Sequence, residues 1–224
     1  MNVESIELAG QQDFVEAGGV FPLIYASADA PNLDASLTWL TENRERLLSE
    51  LATHGALLLR GFRIESDGDF DQLIQRFELP NFTYADSLSN AVRRNRTERV
   101  FTANEAPPKV NIYLHHEMAQ TPVFPSKLFF FCEQAQMSGG ATPLCRSDIL
   151  LSRLAVSRPE FVAACEERGV RYSNSMPATD DPSSGQGRSW RSTLSVTTAA
   201  EAEAKLTALN YSWEWQAQEV LRVT

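Results

Sequence analysis

The run Leu114-His115-His116-Glu117 sets an imidazole two residues before a carboxylate. In an extended segment, side chains two apart leave the same face, so His115 and Glu117 would converge on one cation while His116 points away. A second imidazole from elsewhere would complete a two-histidine, one-carboxylate face. Such a face leaves three positions of an octahedral Fe(II) open for a co-substrate and oxygen. The tripeptide alone is also satisfied by a charged residue on a surface strand, so its specificity has to come from its surroundings.

Imidazole chemistry has few places to sit, because the chain has only three histidines, His54, His115 and His116. His54-Gly55 falls where a helical pattern stops, which suits a structural role better than ligation. The three cysteines, Cys132, Cys145 and Cys165, are odd in number and widely spaced. They form no C-x-x-C pair and suggest neither a disulfide framework nor a zinc site, so they read as buried thiols.

With 224 residues, 43% of them hydrophobic and 22% charged, the chain is long enough and apolar enough to bury one sizeable core. A single domain over 1–224 is the default. The net charge of -9 argues against a nucleic-acid partner, which would need clustered Lys and Arg. The only basic cluster, Arg93, Arg94, Arg96 and Arg99, is interrupted by Asn95, Thr97 and Glu98. It reads as a solvated loop, with an anionic substrate as the alternative. No apolar run approaches the roughly 18 residues of a membrane span, and the N-terminus lacks a basic region followed by a hydrophobic one. These features predict a soluble, cytoplasmic protein. They say nothing of its oligomeric state.

The elements that would position His115 and Glu117 are legible by period. Leu37, Leu40, Leu47, Leu48 and Leu51 recur at helical spacing over 36–53, and the apolar run Ala56–Leu59 after Gly55 predicts a buried strand. Phe70, Leu73, Ile74 and Phe77 share a face of a second helix predicted from Asp67 to Leu79, ahead of Pro80. Residues 81–109 have no period and read as a long irregular segment, of the kind that is usually functional or mobile. Strands are predicted at Val110–Leu114, Leu128–Cys132 and Thr142–Cys145. Helices are predicted at Ser147–Ala155, Pro159–Arg168 and Thr198–Leu209, a loop at Asp180–Gly187 and a strand at Ser212–Gln216. The closing Leu221–Thr224 reads as mid-strand.

Around the His-x-Glu pair stand His115-His116-Glu117-Met118-Ala119, then Phe124-Pro125-Ser126-Lys127-Leu128-Phe129-Phe130-Phe131-Cys132, then Gly139-Gly140-Ala141-Thr142-Pro143-Leu144. With His54-Gly55, Leu58-Leu59-Arg60-Gly61-Phe62 and Gly187-Arg188-Ser189-Trp190, this ordered string closely resembles the TauD/TfdA-like Fe(II)- and 2-oxoglutarate-dependent dioxygenases. It is most similar to their branch of syringomycin-pathway-type amino-acid hydroxylases, from about Phe21 to the last residue. The resemblance implies an α+β, mainly β fold: a double-stranded β-helix, or jelly roll, with flanking helices.

By the same resemblance, His115 and Glu117 match the first two iron ligands, and Thr142 matches the residue whose hydroxyl helps hold the 2-oxoglutarate carboxylate. Arg188 and Trp190 match a region that approaches the substrate, and Trp190 would otherwise simply pack. Related halogenases carry a small residue in place of the carboxylate, so Glu117 implies hydroxylation or desaturation. The implied reaction is hydroxylation of an unactivated C–H bond in a small molecule, an amino acid or a carrier-protein-bound aminoacyl group. The family's distal His and 2-oxoglutarate-binding Arg have no counterpart in this chain, where no His follows Glu117. We therefore expect a C-terminally incomplete domain. The alternatives are a truncated non-catalytic or partner-binding relative of the same fold, and a different metalloprotein such as a cupin-like isomerase or hydrolase.

Overall fold

The computed structural model describes residues 1–224 except 83–87, 90, 92, 106, 108, 122, 182 and 185. Parts of the irregular 81–109 segment and of the 180–187 loop thus lie outside the described residues. The chain divides into two compact units, one of residues 1–80 and 129–153, the other of 81–128 and 154–224.

In the first unit β1 (Val3–Ser5), β4 (Leu23–Ser27) and β5 (Leu57–Arg60) form a sheet in the order β1-β4-β5, while β2 (Gln12–Phe14) and β3 (Gly19–Phe21) form an antiparallel hairpin. Parallel β4 and β5 align Leu23 with Leu57. Parallel neighbours need a long crossover, and α1 (Leu33–His54) supplies it. The helix starts where Asn32 accepts from the Ala35 N–H at 2.9 Å and stops at Gly55, whose φ of 80° lets its N–H reach the Leu51 carbonyl at 2.8 Å. Leu37, Leu40 and Leu47 of α1 are buried, as is Ile24 of β4, and they make the core.

The second predicted helix is shorter than its apolar period suggests. α2 (Asp67–Gln75) opens with a Ser66/Asp69 capping box and gives way to turns before Glu78, whose φ is 51°. Phe77 nevertheless stays buried. The strands predicted at Val110–Leu114, Leu128–Cys132 and Thr142–Cys145 are not present; those residues belong to no ladder. Their β-rich composition survives as side-chain alternation: Phe129 packs on Phe77 (centroids 5.1 Å) and Phe131 stacks on Phe70 (5.3 Å), while Phe130 is 69% exposed. An extended run becomes a strand only when a neighbour takes its N–H and C=O groups, and among the described residues none does.

α3 (Ser147–Ser157) and α4 (Pro159–Arg168) follow near their predicted bounds, α4 with Pro at its first turn and Gly169 past its end. In the second unit β6 (Asn174–Met176), β7 (Trp213–Trp215) and β8 (Leu221–Val223) form an antiparallel sheet in the order β6-β8-β7. α5 (Trp190–Leu194) and α6 (Ala199–Ala208) belong to the same unit. Met176, Trp190, Leu194, Ala202, Leu206 and Leu221 form one buried cluster. Among the described residues no helix is long and apolar enough to cross a membrane.

Candidate metal and substrate site

His115 and Glu117 lie in the second unit, where a segment outside any helix or strand meets the start of a turn. The His115 Nδ1 is 2.7 Å from the Tyr113 carbonyl oxygen. A carbonyl only accepts, so Nδ1 carries the proton and the lone pair of the neutral ring sits on Nε2. That nitrogen is 3.7 Å from Glu117 Oε2. Two donors about 2.1 Å from one ion at adjacent octahedral positions stand about 3 Å apart, so a small side-chain rotation lets this pair share a cation. The pairing geometry therefore exists without the strand expected to produce it. His116, on the next residue, is exposed.

The other Glu117 oxygen, Oε1, accepts from Arg93 Nη2 at 3.1 Å. The side chains of Arg93 and Glu117 are 14% and 19% exposed, whereas His115 is 55% exposed. Arg93 also lies over the Phe101 ring, 5.7 Å from its centroid. Sequence reasoning assigned this arginine to a solvated cluster. Arg94, 75% exposed and held by Glu105 at 2.8 Å, fits that reading, whereas Arg99, near Glu98 at 3.5 Å, is only 26% exposed.

All three side chains border a cavity of about 850 Å³ within the second unit, which Tyr172, Asn174 and Tyr211 also line. That volume suits a small-molecule ligand. Its wall includes Thr193, a buried residue whose hydroxyl has no hydrogen-bond partner among the described residues. A buried hydroxyl in that state is a donor and acceptor suited to a polar ligand or a water.

Arg188 donates from Nη1 to the Ser89 carbonyl at 2.7 Å and from Nη2 to the Ser192 carbonyl. Trp190 is 1% exposed, meets Trp215 edge-on at 5.2 Å and donates from Nε1 to the Glu219 carbonyl at 3.1 Å. Both residues thus make structural contacts of the second unit. Thr142 lies in the first unit, exposed and outside any helix or strand, after Gly139 and Gly140, each with φ of 72°. The thiols of Cys132 and Cys145 are exposed rather than buried, and Cys165 is intermediate. Among the described residues no group of three or more His, Cys, Asp or Glu side chains gathers around a common point.

The profile of the taurine catabolism dioxygenase TauD, TfdA family matches residues 20–220. A clavaminate synthase-like protein of Arabidopsis thaliana is 39% identical over 201 residues, covering 87% of this chain and 60% of the relative. The dapdiamide synthesis protein DdaC of Enterobacter agglomerans is 29% identical over 174 residues, covering 78% of this chain and 50% of the relative. The chain therefore spans 60% and 50% of the length of these two curated relatives.

Proposed function

Because the chain belongs to the taurine catabolism dioxygenase TauD, TfdA family, we propose that it carries the metal-binding part of an Fe(II)- and 2-oxoglutarate-dependent oxygenase. Its reaction is hydroxylation of an unactivated C–H bond in a small molecule, an amino acid or a carrier-bound aminoacyl group, on a jelly-roll scaffold. The observation that carries this reading is the contact of His115 Nδ1 with the Tyr113 carbonyl at 2.7 Å, which leaves Nε2 directed at the Glu117 carboxylate, 3.7 Å from Oε2. A ligating imidazole needs its other nitrogen held in this way.

His115 Nε2 and Glu117 Oε2 would hold the iron, a neutral and an anionic donor that together suit a divalent ion. When bound, Fe(II) with 2-oxoglutarate and O2 supplies the oxidising chemistry, releasing succinate and CO2. The chain's own residues fix the ligands, keep coordination positions open and place the substrate carbon. Thr142, by its match to the family's motif, would donate its hydroxyl to a carboxylate oxygen of 2-oxoglutarate. Arg188 and Trp190 act on the substrate through the cavity wall, by fixing Ser89 and the turn of α5 that presents Thr193. A relative named for dapdiamide synthesis supports a small-molecule substrate.

The test is anaerobic thermal melting with Fe(II) and 2-oxoglutarate, followed by succinate and O2 measurements in air. A ligand that binds only the folded state must raise the melting temperature. Stabilisation with succinate formation coupled to O2 uptake supports the reading and eliminates a cupin-like isomerase or hydrolase. A second reading, a non-catalytic or partner-binding relative of the same fold, is favoured by the lack of a three-ligand group among the described residues. An unchanged melting temperature selects it.

A further inference from the structure

Of the four arginines between 93 and 99, Arg93 alone lines the cavity. Its guanidinium meets one oxygen of Glu117, Oε1, at 3.1 Å, while His115 Nε2 faces the other, Oε2, at 3.7 Å. The two oxygens of a single carboxylate are therefore divided between a cation and an imidazole. Phe101 lies against the guanidinium and limits its swing. Both partners of the ion pair are mostly withdrawn from water, so its attraction is screened far less than that of a surface pair.

We propose that Arg93 is a positioning residue that forces Glu117 to ligate through Oε2 alone. The inference rests on the reading that His115 and Glu117 hold the metal. A divalent cation at Oε1 would meet a guanidinium already bonded there, so charge repulsion and the lone pair taken up by the hydrogen bond favour ligation through Oε2. One-oxygen ligation matters for the chemistry. A carboxylate bound through both oxygens takes two octahedral positions, and one bound through a single oxygen leaves the second for a co-substrate. Arg93 would thus keep a coordination position open without touching the metal. Affinity alone does not report this role, since the guanidinium both orders the carboxylate and repels the ion.

The experiment uses the full chain with Co(II) added anaerobically and reads the carboxylate stretches by infrared difference spectroscopy. One-oxygen ligation separates the asymmetric and symmetric bands widely, and two-oxygen ligation brings them together. We expect a wide separation in the unsubstituted protein, a narrowed one in Arg93→Gln, and recovery of the wide one in Arg93→Lys, which restores a cation. Arg93→Met, whose stem still packs on Phe101, takes the place of Arg93→Gln if that variant does not fold. Co(II) binding with the same separation in all variants overturns the inference while sparing the ligand assignment. If the unsubstituted protein takes up no Co(II), the ligand assignment fails first and the inference falls with it. A metal-free thermal double-mutant cycle of Arg93→Gln with Glu117→Gln gives an independent check: additive shifts mean the ion pair does not exist in solution.

Discussion

Nε2 of His115 faces Oε2 of Glu117 across 3.7 Å, and the Tyr113 carbonyl on the far side of the ring sets which nitrogen is available. The contact lies inside a three-residue stretch, so it depends on local backbone more than on distant packing. Replacing His115 or Glu117 with Ala should weaken Fe(II) binding by more than about 100-fold, beyond the loss typical of an outer-shell change. His116→Ala should leave it within a few-fold. Competition titration against a chromophoric chelator measures all three. A large loss at His116→Ala with little change at His115→Ala would place the ligand on the other imidazole.

Trp190 fixes the second unit. Its ring is buried among Met176, Leu194 and Leu206 and its Nε1–H is bonded to the Glu219 carbonyl. Trp190→Ala should cost about 3–5 kcal/mol in urea unfolding, through lost burial and the cavity left behind. Trp190→Phe keeps much of the ring but orphans the Glu219 carbonyl, and should cost about 1 kcal/mol for that bond plus a smaller packing loss. Matching losses in the two variants would mean that the indole N–H, and not the ring, dominates.

Gly61 follows β5 directly with φ of 71°, and a Cβ there would stand 2.0 Å from the Ser27 carbonyl oxygen on β4. The obstacle is backbone held in a sheet, not a side chain that can turn away. Gly61→Ala should therefore destabilise the first unit by at least about 2 kcal/mol, combining left-handed strain with the displacement of β4 from β5. Thermal melting measures it, and a shift of only a degree or two would mean that the strand ends move freely.

What the sequence made legible follows from how local each signal is. α1, α4 and α6 stop close to their predicted ends because stops such as Gly55 and Gly169 lie next to what they stop, whereas α1 begins at Leu33, ahead of the predicted 36, at an Asn32 cap that the apolar period does not reach. β1 to β4 and β6 are three to five residues long and gain their identity from partners far along the chain, as Val3 does from Ser27. No periodic pattern fits in so few residues. The reverse error, at Val110–Leu114 and Leu128–Cys132, arose because composition reports a taste for extended backbone and not the presence of a neighbour. The closeness of His115 and Glu117 was legible because both residues lie on one short segment. Arg93 was not, because its partner Glu117 is 24 positions away and nothing nearby distinguishes it from Arg94 or Arg99.

Glu201 gives the fold a pH dependence whose sign can be derived. At the start of α6 its carboxylate accepts from the Thr197 N–H at 2.9 Å, the Thr198 N–H at 3.0 Å and the Thr197 hydroxyl at 2.9 Å. The Thr197 N–H acts most strongly, then that of Thr198, and together these bonds hold the group at about 2, below its ordinary 4.5. In the unfolded chain the bonds are gone and the carboxyl takes up a proton near 4.5. A depressed folded value means that the contribution is complete above the unfolded value and is lost as pH falls through the window from 4.5 towards about 2. Glu201→Gln can still accept hydrogen bonds but does not titrate. The variant should be the less stable of the two at about pH 7, and the difference should shrink steadily as pH is lowered from about 5 to about 3. Urea midpoints across that range measure it. Parallel profiles would show that the capping carboxylate titrates at its ordinary value, with the Thr197 and Thr198 bonds absent in solution.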